Sequence, residues 1–519
     1  MNGLFNHPLL DLLSLDAAAA LEVHHRAAPL EFGSTFGAVN VATPRVAETG
    51  RVLRASLAGG SFGTVLESVA AGERTAGGTD YFFSQGYRRS DGARPDAEGS
   101  LANWFFRAGQ ALNEHWSVSY RVNRSDNRTR DPGALGATTG STRGEIYATR
   151  DWIHLGVAEW NYDATSGAVR VYRNDGHGDW VRRELSGEAD NFNTWRLEGV
   201  RWRQTLRIGA GEVLIGADYD TQRGTSVSQP RSGPAVVFRS GTTGLFSPYA
   251  GVNHEWRVRG VSVTPSLGAR YYEHDTFGSR WSPQAGLVVA GPETQLRLGA
   301  SRAVNFPGLE VQTLSAFIPP LGDSWTRLRP EEAEQVEVAV RQALGARAAA
   351  TLTLFQNDVS DRYVIAFPPP PPPRYTNVGA YRTRGAELAA ELSPRDDLKL
   401  FFGATWLNNE PASLPYAPRQ TYTGGVNWRF AAGWQLSVDA SYVSAMHVAA
   451  ANRAAGAANP VAVGAQAAVN ARLVRRFALG GDVIEVFVAG ENLTDRDFAY
   501  APGYPIPGVN GLVGVRWAR

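Results

Sequence analysis

The sequence predicts an all-β fold, a transmembrane antiparallel β-barrel of about 22 strands. Three observations carry that prediction. Apolar and polar residues alternate with a period of two from about residue 50 almost to the end. The segments between these runs are by turns very short and long, and aromatic residues gather where the runs end.

The alternation defines the strands. In "WSVSYRV", Trp116, Val118, Tyr120 and Val122 alternate with Ser117, Ser119 and Arg121, and in "QLRLGAS", Leu296 and Leu298 alternate with Gln295 and Arg297. Val336, Val338 and Val340 do the same against Gln335 and Glu337, and Trp434, Leu436, Val438 and Tyr442 against Gln435, Ser437, Asp439 and Ser441. Each run has one apolar and one polar face and extends over roughly ten residues, enough for a tilted strand to cross a bilayer. The polar faces carry Arg121, Arg297, Glu337, Asp439 and Glu485, charges that a small dry core would not hold. Trp116, Trp152, Trp434 and Trp517 stand near run ends, where interfacial girdles belong.

The connections give the barrel its polarity. "RIGAGE", "VAGPET", "ALGARA", "SPRDD", "RFAAGW" and "ALGGD" read as tight turns. Longer segments lie at about 123–150, 221–245, 302–331, 366–380 and 446–462. Tight turns on the periplasmic side and large loops on the outside are the habit of a membrane barrel. A propeller would repeat every 40 to 45 residues or so, and no such repeat is found.

Composition removes several classes of function. Fifty-one Lys and Arg nearly cancel 50 Asp and Glu, a net charge of +1 that argues against a nucleic-acid partner. There is no cysteine, so thiolate metal sites and cysteine nucleophiles are excluded. No Ser, His and acid set and no carboxylate pair stands out, and neither enzyme activity nor a cofactor is expected. His24 and His25 are adjacent and would point to opposite faces of a strand, so a shared metal is not expected there. "FGSTFGAVN" lacks the Gly-Lys-Ser/Thr ending of a phosphate loop.

Residues 22 to 45, "EVHHRAAPLEFGSTFGAVNVATPR", place the chain more closely. Glu22, Val23, Phe32, Gly33, Gly37, Val39, Asn40 and Thr43 resemble the end of the plug domain in TonB-dependent outer-membrane receptors, with His25 and Ala27 where the family has Arg and Pro. "YRTRGAELAAEL" is similar to the family's Arg-Gly-x-Glu strand and "PYAPRQTYTGGVNWRF" to its Pro-Arg-x-Thr strand. "VFVAGENLTDRDFAYAPGYPIPGVNGLVGVRW" resembles the terminal Glu-Asn-Leu-x-Asp segment. The resemblance implies residues 1–45 as the C-terminal part of a plug and 46–519 as the barrel. It also implies residence in the bilayer of a Gram-negative outer membrane, a small-molecule chelate as ligand, the TonB complex as partner and a monomeric receptor.

The opening "MNGLFNHPLLDLLSLDAAAALEV" lacks the basic start and cleavage site of an export signal and resembles mid-plug sequence. No residue matches a TonB box, so the chain reads as truncated within the plug. Under the resemblance, uptake of a chelated nutrient is expected, a ferric siderophore first, then cobalamin or haem. A passive porin-like barrel is the alternative, and a soluble all-β enzyme a distant third.

Ligand contacts are expected from the outer loops and the plug turn, at Phe36, Phe317, Trp325, Arg327, Arg374 and Tyr375. Aromatic and cationic groups suit an anionic, ring-containing chelate. Between them, prolines 368 to 373 cannot donate to a ladder and are expected in an outward loop as a rigid spacer.

Overall fold

Twenty-two antiparallel strands close into one barrel, from Gly50–Gly60 to Asn510–Ala518. The first and last strands pair, with Leu57 opposite Val515, so no edge is left open. The computed structural model describes residues 18–24, 30–33, 36–137, 141–366, 372–449 and 460–519. Among the described residues no helix is long and apolar enough to cross a membrane, and the crossing falls to strands.

The period of two now has a direction. Val118, Tyr120, Leu298, Val336, Val338 and Val340 are all exposed on the outside of the wall. In water such a surface would be untenable; against lipid it is the favourable one. Arg121, Arg297, Glu337, Asp439 and Glu485 have the opposite parity and face the lumen, where Asn470 donates to Asp439 at 2.8 Å. At the inner rim, Trp116 lies 5.1 Å from Trp160 and donates to the Tyr162 hydroxyl at 2.8 Å, a piece of aromatic girdle.

All six short turns read from the sequence sit at one end of the barrel, at 209–210, 291–293, 344–347, 396–397, 432–433 and 480–481. The opposite end carries the long connections, which are 131–145, 230–242, 306–330, 361–380, 444–465 and 492–509. Several strands overrun the expected ten residues. Asp190–Ile208 and Gly211–Gln229 have 19 each, so much of the expected loops at 123–150 and 221–245 is in fact strand. Nineteen residues at about 3.3 Å each reach roughly 60 Å along the strand. An apolar band about 25 Å tall uses only part of that. Above it polar residues such as Thr194, Arg196, Arg223 and Thr225 enter the outer face, which blurs the alternation in sequence but leaves the backbone ladder intact.

The motif segment 492–509 is a braced loop. Asn492 is buried at φ 47° and donates to the carbonyls of Arg496 and Pro507 at 3.0 and 3.1 Å. Asp495 accepts from the Val509 amide at 3.0 Å. The Glu-Asn-Leu-x-Asp pattern therefore serves loop closure here. Prolines 368–371 lie outside the described residues; the strands flanking them, Tyr363–Ala366 and Arg374–Asn377, pair as a hairpin at the outer end.

Inside the wall, Ala20–His24 pairs with Ala38–Ala42 as a separate hairpin. Glu22 and Asn40, two residues of the plug-like pattern, face each other there, and the Asn40 amide donates to the Glu22 carboxylate at 3.0 Å. Further on, Val46 is buried against Phe82 and Phe105 of the wall.

Candidate functional site

Two places in the lumen hold segments that are not barrel strands. The lower one seats the N-terminal segment. Arg270, only 2% exposed, donates to the Leu30 carbonyl at 2.6 Å and pairs with Asp218, itself 2% exposed. Its guanidinium carbon lies 4.7 Å from the Tyr249 ring centre. Leu30 fits because Gly251 and Gly268 have no side chain, since a Cβ at Gly268 would stand 2.5 Å from a Leu30 methyl. Glu31 pairs with Arg203, and Gln335 donates to the Phe36 carbonyl at 3.5 Å.

The upper place is a module built from the loops 306–330 and 361–380 with Phe277. Phe277, Val311, Leu321, Leu328 and Tyr375 form its apolar core, and Trp325, Tyr363 and Ile365 pack around them. Tyr375 donates its amide to Ser324 at 2.9 Å, and Arg329 and Asn377 exchange two bonds of 2.9 Å. These bonds join the two loops. The helix Glu310–Phe317 begins over the mouth, where Leu309 is buried against Trp195 of a distant strand. The loop 306–330 therefore folds inward instead of standing away from the barrel.

Glu310 is the buried charge of this module. It accepts from the Tyr363 hydroxyl at 2.7 Å and from the Gly308 amide at 3.3 Å. Burial pushes its carboxyl above the ordinary carboxylate range, against the lowering effect of the Tyr363 bond. Burial also pushes the Tyr363 and Tyr375 hydroxyls up.

Five of the six residues expected to meet ligand lie in the loops of this upper module, and the structure divides their roles. Arg327 and Arg374 are exposed, with Arg327 reaching Asp323 at 4.0 Å. Phe317 and Trp325 are half-buried, and Trp325 lies 6.4 Å from Phe277. Tyr375 is 6% exposed and belongs to the core, so it was not the exposed loop residue that its neighbours in sequence suggested. Phe36 lies apart from these five, half-buried on the N-terminal segment. Sequence reasoning missed Arg270, Asp218, Arg203 and Glu31. On the page each is one more polar residue, and Leu30 stands 240 positions from Arg270.

The comparisons agree with this geometry. The family described as "TonB dependent receptor-like, beta-barrel" matches residues 49–493. This chain belongs to that family. TonB-dependent receptors are outer-membrane proteins of Gram-negative bacteria that serve nutrient uptake. Among solved structures, the copper transporter OprC is similar with a TM-score of 0.78 at 14% identity, over 98% of this chain and 86% of that one. The ferric enterobactin receptor PfeA from Pseudomonas aeruginosa gives 0.76 at 13% identity, over 96% and 86%. The ferric citrate transporter FecA, unliganded, gives 0.76 at 13%, over 98% and 84%. At such identities the TonB-dependent receptor fold is shared and the ligand is left open.

Proposed function

We propose that this TonB-dependent receptor takes up a metal chelate, a ferric siderophore in the first place, through the mouth formed by the loops 306–330 and 361–380. The observation that carries this reading is the exposure of Arg327 and Arg374 on loops whose positions are set by a shared apolar core. Cationic groups on a braced frame can meet an anionic chelate without first being ordered, which favours affinity. The half-buried rings of Phe317 and Trp325 supply apolar surface beside them. The N-terminal segment narrows the passage below, and TonB is the partner that would drive its displacement.

The test is a titration of purified protein in detergent with ferric catecholate, ferric citrate, haem and cobalamin, read by tryptophan fluorescence. Saturable binding of a ferric chelate is expected, weakened about tenfold by the double change Arg327→Ala and Arg374→Ala, as when one or two charge-assisted bonds are lost. No saturable binding, together with a steadily open conductance in planar bilayers, would establish a passive pore instead.

A further inference from the structure

On the lumen side of the wall, at the depth of the apolar band, arginines stand against arginines. The register sets Arg107 directly opposite Arg121 and, on two further strands, Arg170 directly opposite Arg201. Parity turns these side chains inward, since Tyr120, Val171, Val200 and Trp202 beside them in sequence are exposed on the lipid side. Like charges facing each other across neighbouring strands destabilise a ladder. Burial sharpens the conflict, for Arg107 is only 7% exposed.

The N-terminal segment adds one more cation to this place. Val46 is buried against Phe82 and Phe105, and Phe105 shares its strand and its lumen face with Arg107 two positions on. Arg45, next to that anchor and exposed, comes close enough to repel both Arg107 and Arg121, and Arg170 acts on Arg121 in the same way. The compensation is partial. Asp80 serves Arg107 and, at 3.4 Å, Arg74, while Asp220 takes Arg201 at 3.6 Å. Arg45, Arg121 and Arg170 have no ion pair or hydrogen bond among the described residues, and the Arg121 Nε is buried without a partner. Glu159, the remaining carboxylate here, is exposed and within ion-pair distance of no arginine among them. Elsewhere the same wall pairs its charges one to one, Arg270 with Asp218 and Arg203 with Glu31.

We infer that Arg45, Arg107, Arg121 and Arg170 form a lumen site for a small, multiply charged oxyanion that ties the N-terminal segment to the wall. Guanidinium groups without an internal partner keep their paired N–H donors for an oxyanion, and phosphate and carboxylate groups share the geometry that such a fork grips. A bound anion would turn the repulsion of Arg45 by the wall into attraction, because both sides then contact the same negative charge. Multiple charge is required, since a single one leaves most of the excess in place. The site is distinct from Arg327 and Arg374 at the mouth and stands whichever nutrient the receptor carries.

The experiment uses the full chain in dodecyl maltoside and Tris chloride, titrated separately with inorganic phosphate and with citrate at constant ionic strength. Binding is read by calorimetry and its consequence by protease cleavage within residues 18–48. Saturable binding with protection of that segment is expected. Phosphate alone would assign a free inorganic ion and citrate alone a polycarboxylate, and either supports the site. The double variant Arg121→Gln and Arg170→Gln should bind about tenfold more weakly, in line with the loss of one or two charge-assisted bonds. Arg45→Gln should bind severalfold more weakly, and its N-terminal segment should be cleaved equally with and without the anion. Arg297→Gln, elsewhere on the lumen wall, should behave as the parent. Should the double variant fail to reach the compact, heat-modifiable form, Arg121→Lys keeps the charge without the fork and is expected to lose severalfold. Binding of neither anion, equal protection by sodium chloride at the same ionic strength, unchanged binding in the arginine variants, or an equal loss in Arg297→Gln would overturn the assignment.

Discussion

Leu30 and Tyr375 both belong to segments outside the barrel ladder, yet different forces hold them. Leu30 is tied through its carbonyl to Arg270, which is paired with Asp218. Tyr375 is held by packing against Phe277, Val311, Leu321 and Leu328. The difference follows from what each segment meets. Where Leu30 docks, the lumen wall presents the buried Arg270 and Asp218, so a charge and a hydrogen bond fix the segment there. Beyond the ends of the strands there is no wall to dock on, and the outer loops make a small apolar core of their own.

Breaking the lower contact should have the largest effect. Arg270→Met leaves Asp218 buried without its partner and is expected to destabilise by about 3–5 kcal/mol. The heat-unfolding midpoint in detergent should fall, with new protease cleavage within residues 18–48. Adding Asp218→Leu should recover most of the loss, because the unpaired charge and not the missing bond dominates it. A single variant that melts like the parent would show that the N-terminal segment is held by something other than this pair.

Leu321→Ala probes the upper core, since Leu321 is 2% exposed. A cost of about 2–4 kcal/mol is expected for such a deletion. It should appear as protease cleavage at 306–330 and 361–380, with the barrel melt unchanged. A lowered barrel melt would break the comparison, because the loops would then share the barrel's stability.

Tyr363→Phe removes the bond to Glu310 and should loosen the loops by about 1–2 kcal/mol. The folded carboxyl lies above its unfolded value, so its contribution to loop packing is full below the ordinary glutamate range and is lost as pH rises through the raised value. The Tyr363 bond lowers that value, so in the variant the loss should extend to a higher pH, read by proteolysis of the loops across a pH series. A profile shifted to lower pH would contradict the assignment of Glu310 as the titrating group.

Tyr375→Phe should do least, within about 0.5 kcal/mol. The Tyr375 hydroxyl is buried with no hydrogen-bond partner among the described residues, so its ring supports the core and its oxygen does not. Loop proteolysis matching that of the parent is the expected result, and a marked increase would reveal a partner for the hydroxyl.

From particular residues one can say why some of this was readable. The turn at "ALGGD" needs Gly480 and Gly481, both at positive φ, and two adjacent glycines are visible on the page. Val336, Val338 and Val340 announce a lipid face because alternation is local. Arg223 gave no such signal, since residues 220–226 around it are polar or glycine on both faces and parity disappears from the sequence. Tyr375 reads from its sequence neighbours as a loop residue, and its burial comes from Phe277 and from Val311, Leu321 and Leu328 of the loop 306–330.

By itself the sequence determined the barrel, its approximate strand number, which end carries the loops and which parity meets lipid. Those properties rest on period-two alternation and turn chemistry, which act between residues a few positions apart. Tertiary structure alone decided that Arg270 holds Leu30, that Glu310 meets Tyr363 and that Arg45, Arg107 and Arg121 gather in one part of the lumen. Each joins different strands or loops, and closing the barrel is the step that brings them within bonding distance.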